Sequence, residues 1–271
     1  MLINNIEFNE HLNTFYQCNK RQLKWRLEIN PYFILVSEFM LQQTQVSRAI
    51  DYFNTFIKAL PTIASLANAE QQEVLSLWSG LGYNRRALYL HNAAKIIHFQ
   101  YHGIIPIDYN ELLKIKGIGE YTAKAIVTYS YNIPLIFVET NIRTVFFIYY
   151  KDLFANQDKI DDRLIKELIT KTIDNNNPRD WYYGLMDWGT QLKKEYKDKH
   201  IQKSKFFTKQ SQFQGSLRQI SGKIIKLLLE KKTIQKQKLL DFCNDGRTHQ
   251  CIQTLIKENF IFEMDEFYSI K

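Results

Sequence analysis

The segment Leu112-Leu-Lys-Ile-Lys-Gly-Ile-Gly-Glu-Tyr-Thr-Ala-Lys-Ala-Ile126 says most about the architecture of this chain. Its pattern predicts a helix, the turn Lys116-Gly-Ile-Gly119 and a second helix. Gly117 and Gly119 have no Cβ, so the turn can adopt left-handed backbone angles and another backbone can approach it closely. Because the turn leads into a helix N-terminus, the amides there can bind one phosphate without contacting a base. An ordinary helix–turn–helix corner explains the same residues equally well.

The composition narrows the class of partner and the compartment. The chain has 271 residues, 45% of them hydrophobic and 14% aromatic, and a formal net charge of +8. This excess suits nucleic acid, although membranes and acidic proteins attract it too. No apolar run of about 18 residues predicts a transmembrane helix, and the N-terminus lacks the pattern of a secretory signal. Three cysteines are too few for a disulfide framework, so a reducing, cytoplasmic location is expected.

Helical periodicity dominates the first 194 residues, and no strand-rich stretch interrupts it. Asn30 before Pro31 predicts a capped helix start, and Asp108 and Glu111 have the spacing of a capping box. The sequence therefore predicts an all-helical catalytic domain over residues 1–194. Its helices are expected near 6–18, 31–41, 45–58, 71–79, 84–101, 108–115, 120–131, 140–150, 160–173 and 178–194.

The composition changes after that domain. Seven lysines lie within residues 193–209, which predicts a basic linker over 195–213 that either tracks phosphates or is a solvated charged loop. Residues 214–271 predict a small α+β module. In it, Ser216 and Gln219 form the capping box of a first helix, a second and a third helix cover about 234–243 and 248–258, and strands cover 260–263 and 267–270.

Three helices followed by a hairpin are typical of a winged helix. The third helix would then contact a DNA groove through Arg247, His249, Gln250 and Gln253. A small helical cap that only packs on the first domain accounts for the same pattern.

Two carboxylates are candidates for acid–base chemistry. Glu38 lies inside the nearly apolar run 32–41, either on the one wet face of its helix, which these residues alone favour, or partly buried. Burial raises the pKa of a carboxyl group, which makes a general acid usable near neutral pH. Glu139 precedes a helix and either caps it or offers a fixed anion to a cation that develops during reaction. A protonated and an ionised carboxylate form the pairing used in glycoside cleavage.

Further polar residues predict contacts with DNA. Gln42 and Gln43 follow the Glu38 helix and suit hydrogen bonds to base edges. Tyr83 lies between a glycine-containing turn and two arginines, so it either wedges into a base stack or is a core tyrosine at a helix start. Arg85 and Arg86 are predicted to contact phosphates.

These segments together resemble the helix-hairpin-helix DNA glycosylases, and in particular the MutY-like branch that removes adenine paired with oxidised guanine. The resemblance covers roughly residues 8–194. It rests on Ser37-Glu-Phe-Met-Leu-Gln-Gln-Thr-Gln-Val46, Leu77-Trp-Ser-Gly-Leu-Gly-Tyr83, Ile115-Lys-Gly-Ile-Gly-Glu-Tyr-Thr-Ala123 and Val138-Glu-Thr-Asn-Ile-Arg143. It implies a two-lobed, mostly helical fold, here followed by the winged-helix-like module.

The resemblance also implies a role for each matching residue. Glu38 matches the acid that protonates the departing adenine, and Asn141 matches an active-site asparagine. Gln42 and Gln43 match residues at the lesion and its neighbours, and Tyr83 matches the intercalating tyrosine. The remaining matches are the phosphate-binding turn with Lys116, Gly117 and Gly119, and Trp25 and Arg26 near the adenine pocket.

Tyr121 matches a position that is lysine in the bifunctional branch. A lysine there would form a Schiff base with the sugar. Since tyrosine cannot, no strand-cutting lyase step is expected.

The chain departs from the family pattern at three places. Glu139 stands where the family has Asp, which moves the anion by about one bond, and a shift near 1 Å can cost about 10²-fold in rate. The segment after Asp187-Trp-Gly189 lacks the four cysteines that hold an iron–sulfur cluster in most relatives, so no cluster, no metal site and a colourless protein are expected. Tyr183 replaces a base-reading Gln or Glu, and the winged-helix-like module is expected in place of the usual domain that reads oxidised guanine.

The expected function is that of a monofunctional, monomeric DNA glycosylase in a bacterial-type cytoplasm, associated with the nucleoid. Its expected partner is double-stranded DNA with a mispair or lesion, and no membrane. A glycosylase for thymine or uracil opposite guanine, and a non-catalytic DNA-binding relative, remain the alternatives.

Overall fold

The structure is a computed structural model that describes residues 5–155, 160–196, 204 and 212–270. Most of the predicted lysine-rich linker lies outside these residues. Two glycine- and polar-rich turns, at 79–84 and 114–119, separate helices in the sequence and carry several predicted site residues.

The described residues are mostly helical, which confirms the predicted fold class. The helices and strands are α1 (Asn5–Asn19), α2 (Lys24–Leu27), α3 (Pro31–Leu41), α4 (Val46–Ala59), α5 (Ile63–Asn68), α6 (Gln71–Trp78), α7 (Arg85–Gln100), α8 (Tyr109–Leu113), α9 (Glu120–Tyr131), α10 (Thr140–Tyr149), a 3-10 turn (Lys151–Phe154), α11 (Asp162–Thr172), α12 (Pro178–Tyr196), α13 (Leu217–Lys231), β1 (Thr233–Gln235), α14 (Lys236–Cys243), α15 (Thr248–Lys257), β2 (Ile261–Met264) and β3 (Phe267–Ile270).

The chain divides into two compact units built from non-contiguous segments. Unit 1 comprises Met1–Ile34, Pro106–Lys114 and Ile118–Lys209, and unit 2 comprises Leu35–Ile105, Ile115–Gly117 and Gln210–Lys271. The predicted boundaries at residues 194 and 213 fall in or beside undescribed residues and stay predictions. The predicted site residues are divided between the two units, and each unit is described by itself.

Unit 1 has an aromatic core in which α12 packs against α1 and α10. Phe137 stacks on Tyr182 with ring centroids 3.9 Å apart, and Tyr129 stacks on Tyr183 at 4.4 Å. Large flat side chains bury much apolar area at little conformational cost, so these stacks give α12 a well-defined position.

Helix starts follow local sequence with one correction. The predicted cap at Asn30 is confirmed, because its Oδ1 accepts a hydrogen bond from the Tyr32 amide at 2.9 Å. The predicted capping box at Asp108 is wrong, since Asp108 accepts from the Asn110 amide while Glu111 pairs with Lys114.

The C-terminal module in unit 2 has the element order α13-β1-α14-α15-β2-β3, with an antiparallel sheet of order β1-β3-β2. This is the topology of a winged helix, and the predicted helices and hairpin are confirmed. β1 was missed because three residues are too short to show alternation; it forms by pairing with β3, for example Ile234 with Tyr268. The capping box at Ser216 is half formed, since Gln219 accepts from the Gly215 amide instead.

Throughout the described ranges, every helix is too short or too polar to span a bilayer.

Candidate functional site

Glu139 in unit 1 is the N-cap of α10. Its Oε1 accepts hydrogen bonds from the backbone amides of Asn141 at 2.5 Å and Ile142 at 3.0 Å, and its Oε2 lies 3.4 Å from the Asn141 side-chain nitrogen. The geometry is that of a helix cap, one of the two roles that the sequence left open. Glu139 and Asn141 thus form one hydrogen-bonded pair at the start of α10.

The pKa of Glu139 lies above its ordinary value. Burial of the carboxyl group raises it, while Lys193, the amides of Ile142 and Asn141, and Arg143 lower it without cancelling the burial. The residue as a whole is only partly buried. The amides and the two cations favour the ionised form of the carboxyl group. Glu139 therefore has a raised pKa and, at the same time, hydrogen-bond donors and positive charges that suit a carboxylate anion.

Asn141 is held in place by the close approach of two helices. A Cβ added to Gly189 of α12 would overlap the Asn141 backbone carbonyl and side chain. Only a residue without a side chain allows α10 and α12 to lie this close. Gly189, the last residue of the Asp-Trp-Gly stretch, therefore allows α12 to pack directly against Asn141 of the Glu139–Asn141 pair.

A buried ion cluster lies among Arg21, Arg26 and Asp187 of unit 1. The Asp187 carboxylate accepts from Arg21 Nε at 2.5 Å and from Arg26 Nη1 at 2.9 Å, and Asp187 is 5% exposed. Burial opposes the charge of Arg26, but the attraction and hydrogen bonding of Asp187, together with Tyr183 and Tyr129, outweigh that effect, so the pKa of the guanidinium lies above its ordinary value. In the sequence, Asp187 only marked the start of the segment that lacks cysteines. Its pairing with Arg21 and Arg26 could not be predicted, because these residues are distant along the chain.

The three residues predicted near the adenine pocket are all packed within unit 1. Trp25 is 4% and Tyr183 5% exposed, and the Arg26 guanidinium lies 4.2 Å from the Tyr183 ring centroid. Tyr121 is partly buried and meets the edge of Phe137 at 5.7 Å. Arg26 is therefore committed to Asp187 and Tyr183, and its base-pocket role stays a prediction.

Glu38 in unit 2 lies on α3 and is only 8% exposed. The preferred expectation of a wet helix face is therefore wrong, because the flanking residues on all sides of the helix are buried, among them Val36 and Phe39 at 0% exposure. A carboxylate in such surroundings is costly and is rarely found without a function or a partner.

Arg86 is buried in unit 2, whereas the predicted phosphate contact would need its guanidinium to face solvent. It is 6% exposed, and its guanidinium donates to the backbone carbonyls of Phe39 at 3.0 Å, Met40 at 2.7 Å and Gly82 at 2.8 Å, and to Thr44 Oγ1. Burial lowers its pKa to about 10. Arg86 instead satisfies the carbonyls at the end of α3, directly after Glu38.

The turn that carries Tyr83 has an unusual backbone. Gly80, Gly82 and Tyr83 have φ angles of +96°, +84° and +50°. The Gly82 carbonyl accepts from Trp78 Nε1 at 3.2 Å and from Arg86. Tyr83 is only partly buried, so it is not a core tyrosine, and its hydroxyl accepts a hydrogen bond from Arg218 of α13.

Arg85 also meets the C-terminal module. Its Nε donates to Glu258 at 2.9 Å, yet its side chain remains 53% exposed. Exposed side chains of α15 include His249, Gln250 and Gln253, whereas Arg247 is paired with Asp245 at 2.8 Å. Within unit 2 the module thus contacts α6 and α7, while a face of α15 stays exposed, and contact of that face with a DNA groove stays a prediction.

The glutamines that follow α3 differ in their surroundings. Gln43 is exposed at a positive φ of +59°, whereas the Gln42 carbonyl accepts from Arg86. Contacts of either side chain with bases stay a prediction.

The glycine turn has two distinct glycines. Gly117 has a φ of +96°, and a Cβ there would overlap Tyr89. Lys116 is exposed with its Nζ 5.5 Å from the Tyr89 ring centroid. Gly119, the exposed N-cap of α9, has open space where a Cβ would lie, so nothing in its own surroundings requires glycine.

The cysteines do not fit an iron–sulfur cluster. Cys18 lies in unit 1, and Cys243 and Cys251 lie in unit 2, where Cys251 is buried. A four-thiolate donor set does not exist in a chain with three cysteines. Among the described residues, no group of three or more His, Cys, Asp or Glu side chains is placed to hold a metal ion.

Residues 36–174 match the family described as "HhH-GPD superfamily base excision DNA repair protein". Similar proteins include the adenine DNA glycosylase of Buchnera aphidicola subsp. Baizongia pistaciae, 38% identical over 62% of this chain and 46% of the relative. The adenine DNA glycosylase of Mycolicibacterium smegmatis is 42% identical over 49% of this chain and 46% of its own length. The chain spans about half the length of these relatives.

Solved structures show the same fold. A thermostable thymine-DNA glycosylase superposes with a TM-score of 0.62 at 23% identity, covering 68% of this chain and 85% of that one. A non-covalent endonuclease III–DNA complex superposes with a TM-score of 0.55 at 17% identity, with the same coverage. At such identities the likeness establishes the architecture alone.

Proposed function

Since this chain belongs to the HhH-GPD superfamily of base excision DNA repair proteins, we propose that it is a monofunctional glycosylase that removes adenine paired with oxidised guanine or guanine. The observation that carries the proposal is Glu38, a carboxylate 8% exposed on an almost wholly apolar helix. The names of the similar proteins, adenine DNA glycosylases from several species, support the same base.

The proposed chemistry assigns one step to each carboxylate. Glu38 donates a proton to a ring nitrogen of adenine, so the base can leave with the electron pair of the N-glycosidic bond. The sugar becomes cationic, and the Glu139 carboxylate stabilises that charge. Water then attacks the sugar, loses a proton and leaves an abasic site. Extrusion of the adenine costs a few kcal/mol, least at a mispair, and the Tyr83 wedge offsets part of that cost.

The proposed enzyme has no lyase step and no cofactor, and it binds duplex DNA. Tyr121 cannot form a Schiff base, so no lyase step follows excision. The cysteine set supports no iron–sulfur cluster, and no cofactor takes part. The partner is duplex DNA with a mispair or lesion, bound by a monomer in a nucleoid-associated cytoplasmic setting.

A substrate panel tests the proposed function. The protein is incubated with four duplexes, which carry adenine opposite oxidised guanine, adenine opposite guanine, thymine opposite guanine or uracil opposite guanine. Each reaction is then divided into one portion that is treated with alkali and one that is not. We expect strand breaks in the adenine duplexes alone, and only after alkali, because an abasic site breaks on alkaline treatment. Breaks only at thymine or uracil would assign a different base, and breaks without alkali would indicate a lyase.

The pH dependence of excision tests the role of Glu139. Because burial raises its pKa above the ordinary 4.5, the ionised form is lost at a higher pH than for a solvated glutamate. Single-turnover excision should therefore fall on the acidic side of a pH–rate profile, beginning above pH 4.5.

The matched variant for this profile is Glu139→Asp. Aspartate is also a strong N-cap, and its ordinary pKa is about 3.9, so the acidic limb should move to lower pH while the fold is kept. A limb that stays in place in Glu139→Asp would show that another group titrates.

A further inference from the structure

The side chain of Tyr83 is held by a residue of the C-terminal module. Nη1 of Arg218 donates a hydrogen bond to the Tyr83 hydroxyl, and the Arg218 guanidinium carbon lies 4.8 Å from the centroid of the Tyr83 ring. The hydrogen bond restrains the direction of the ring and the cation–π contact restrains its plane. One arginine thus restrains both degrees of freedom of an aromatic side chain.

The backbone beneath Tyr83 is held by other residues of the same unit. Trp78 and Arg86 donate to the Gly82 carbonyl, and Arg48 donates to the Gly80 carbonyl. These bonds fix where the side chain of Tyr83 begins, and Arg86 also approaches the ring itself, with its guanidinium carbon 5.5 Å from the ring centroid against 4.8 Å for Arg218. The orientation of the ring is therefore left to the residues around it, of which Arg218 is one.

The position of Arg218 depends in turn on how the module is docked. Gln71 of α6 donates to the carbonyl of Asn259 at 2.9 Å, and Arg85 of α7 pairs with Glu258. These contacts hold the C-terminal end of α15 against α6 and α7, and α15 packs on α13, the helix that carries Arg218 in its first turn. The module is thus joined at three places to the segment that surrounds Tyr83.

We propose that Arg218 is a positioning residue for Tyr83, so that the C-terminal module takes part in DNA recognition through the wedge tyrosine. This inference rests on the proposed function, which assigns the wedge to Tyr83. Holding the ring in one orientation before DNA binds lowers the conformational entropy lost on insertion. The module then strengthens insertion without any contact between Arg218 and DNA.

Arg218→Ala and Arg218→Lys test the proposal on the full chain. The probe is a duplex with a reduced abasic analogue opposite oxidised guanine and a fluorescent adenine analogue at the neighbouring step, which brightens when a wedge unstacks it. Arg218→Ala should raise the protein concentration needed for half of this signal about tenfold, the combined size of an exposed cation–π contact and a hydrogen bond. Arg218→Lys keeps a cation and a donor and should restore part of the loss.

A double-variant cycle separates positioning from direct DNA contact. In a Tyr83→Ala background, Arg218→Ala should change neither binding nor its salt dependence, because the side chain it positions is gone. A phosphate contact would instead weaken binding equally in both backgrounds and lower the salt slope by about 1, which would overturn the proposal.

Gln71→Ala is the matched control for docking of the module. It removes one docking contact between α6 and the module, whereas the Arg85–Glu258 pair and the packing of α13 on α6 still hold the module and leave Arg218 on Tyr83, so the fluorescence titration should match wild type. If Gln71→Ala and Arg218→Ala cause the same loss, the effect comes from docking and the proposal is wrong. The probe duplex needs no excision, so a protein that excises no adenine but shows the expected cycle would refute the proposed function and leave the role of Arg218 standing.

Discussion

Glu38→Gln is expected to lower the single-turnover rate of adenine excision by about 10²- to 10⁴-fold, the usual contribution of a general acid. Glutamine has nearly the volume of glutamate, so α3 and its packing are kept, but its amide has no acidic proton to give to the base. Binding of an adenine mispair duplex should be retained, because the loss concerns the proton transfer alone. The measurement is excision under enzyme excess, together with an equilibrium titration of the same duplex.

The matched control is Glu70→Gln, the same chemical change at an exposed residue of the same unit. Its excision rate should equal that of wild type. If Glu38→Gln excises adenine as fast as Glu70→Gln, Glu38 is not the acid and the central assignment fails. If Glu38→Gln loses both excision and duplex binding, Glu38 supports the structure of the site instead of the chemistry.

Among the substitutions considered, Asp187→Asn is expected to cause the largest decrease in the free energy of unfolding. Asp187 balances Arg21 and Arg26, whose side chains are 27% and 7% exposed, so the substitution leaves a buried guanidinium without an anion. Removing one partner of a buried ion pair costs about 3–5 kcal/mol, and Arg26 is such a buried partner, whereas Arg21 is partly solvent-exposed. Urea unfolding followed by far-ultraviolet circular dichroism measures the free energy of unfolding.

The comparison variant is Asp245→Asn, which removes the carboxylate of a solvent-exposed pair with Arg247. Exposed pairs are screened by water and salt, so its midpoint in urea should hardly move. Equal midpoints for the two variants would show that Asp187 is solvated in solution. A large loss confined to Asp187→Asn would instead explain why an aspartate precedes Trp188 and Gly189 in this segment.

Features that depend on neighbours along the chain were predicted well. The bounds predicted for α3 and α9 match the structure, because an apolar run after a capped Pro31 and the glycine turn before Glu120 act within a few residues. The errors were short elements, such as α2 and β1, which have four and three residues and show no periodicity.

The resemblance located the candidate site residues in the chain but not their surroundings. Burial of Glu38 was not the favoured expectation, because the apolar run around it is compatible with one wet helix face until the packing partners are known. The opposite error occurred at Arg86, which was predicted to face phosphate and instead binds the carbonyls at the end of α3.

Helix periodicity, capping residues and the glycine turn were accessible from sequence, because each depends on atoms that are close along the backbone. The partner of a charged or aromatic side chain was not. Arg26 meets Asp187 across 161 residues, and Arg218 meets Tyr83 across 135 residues. Whether an arginine neutralises a buried carboxylate, closes a helix end or orients a tyrosine depends on which groups the folded chain brings within a few ångströms, because Coulomb and hydrogen-bond energies fall steeply with distance and rise with burial.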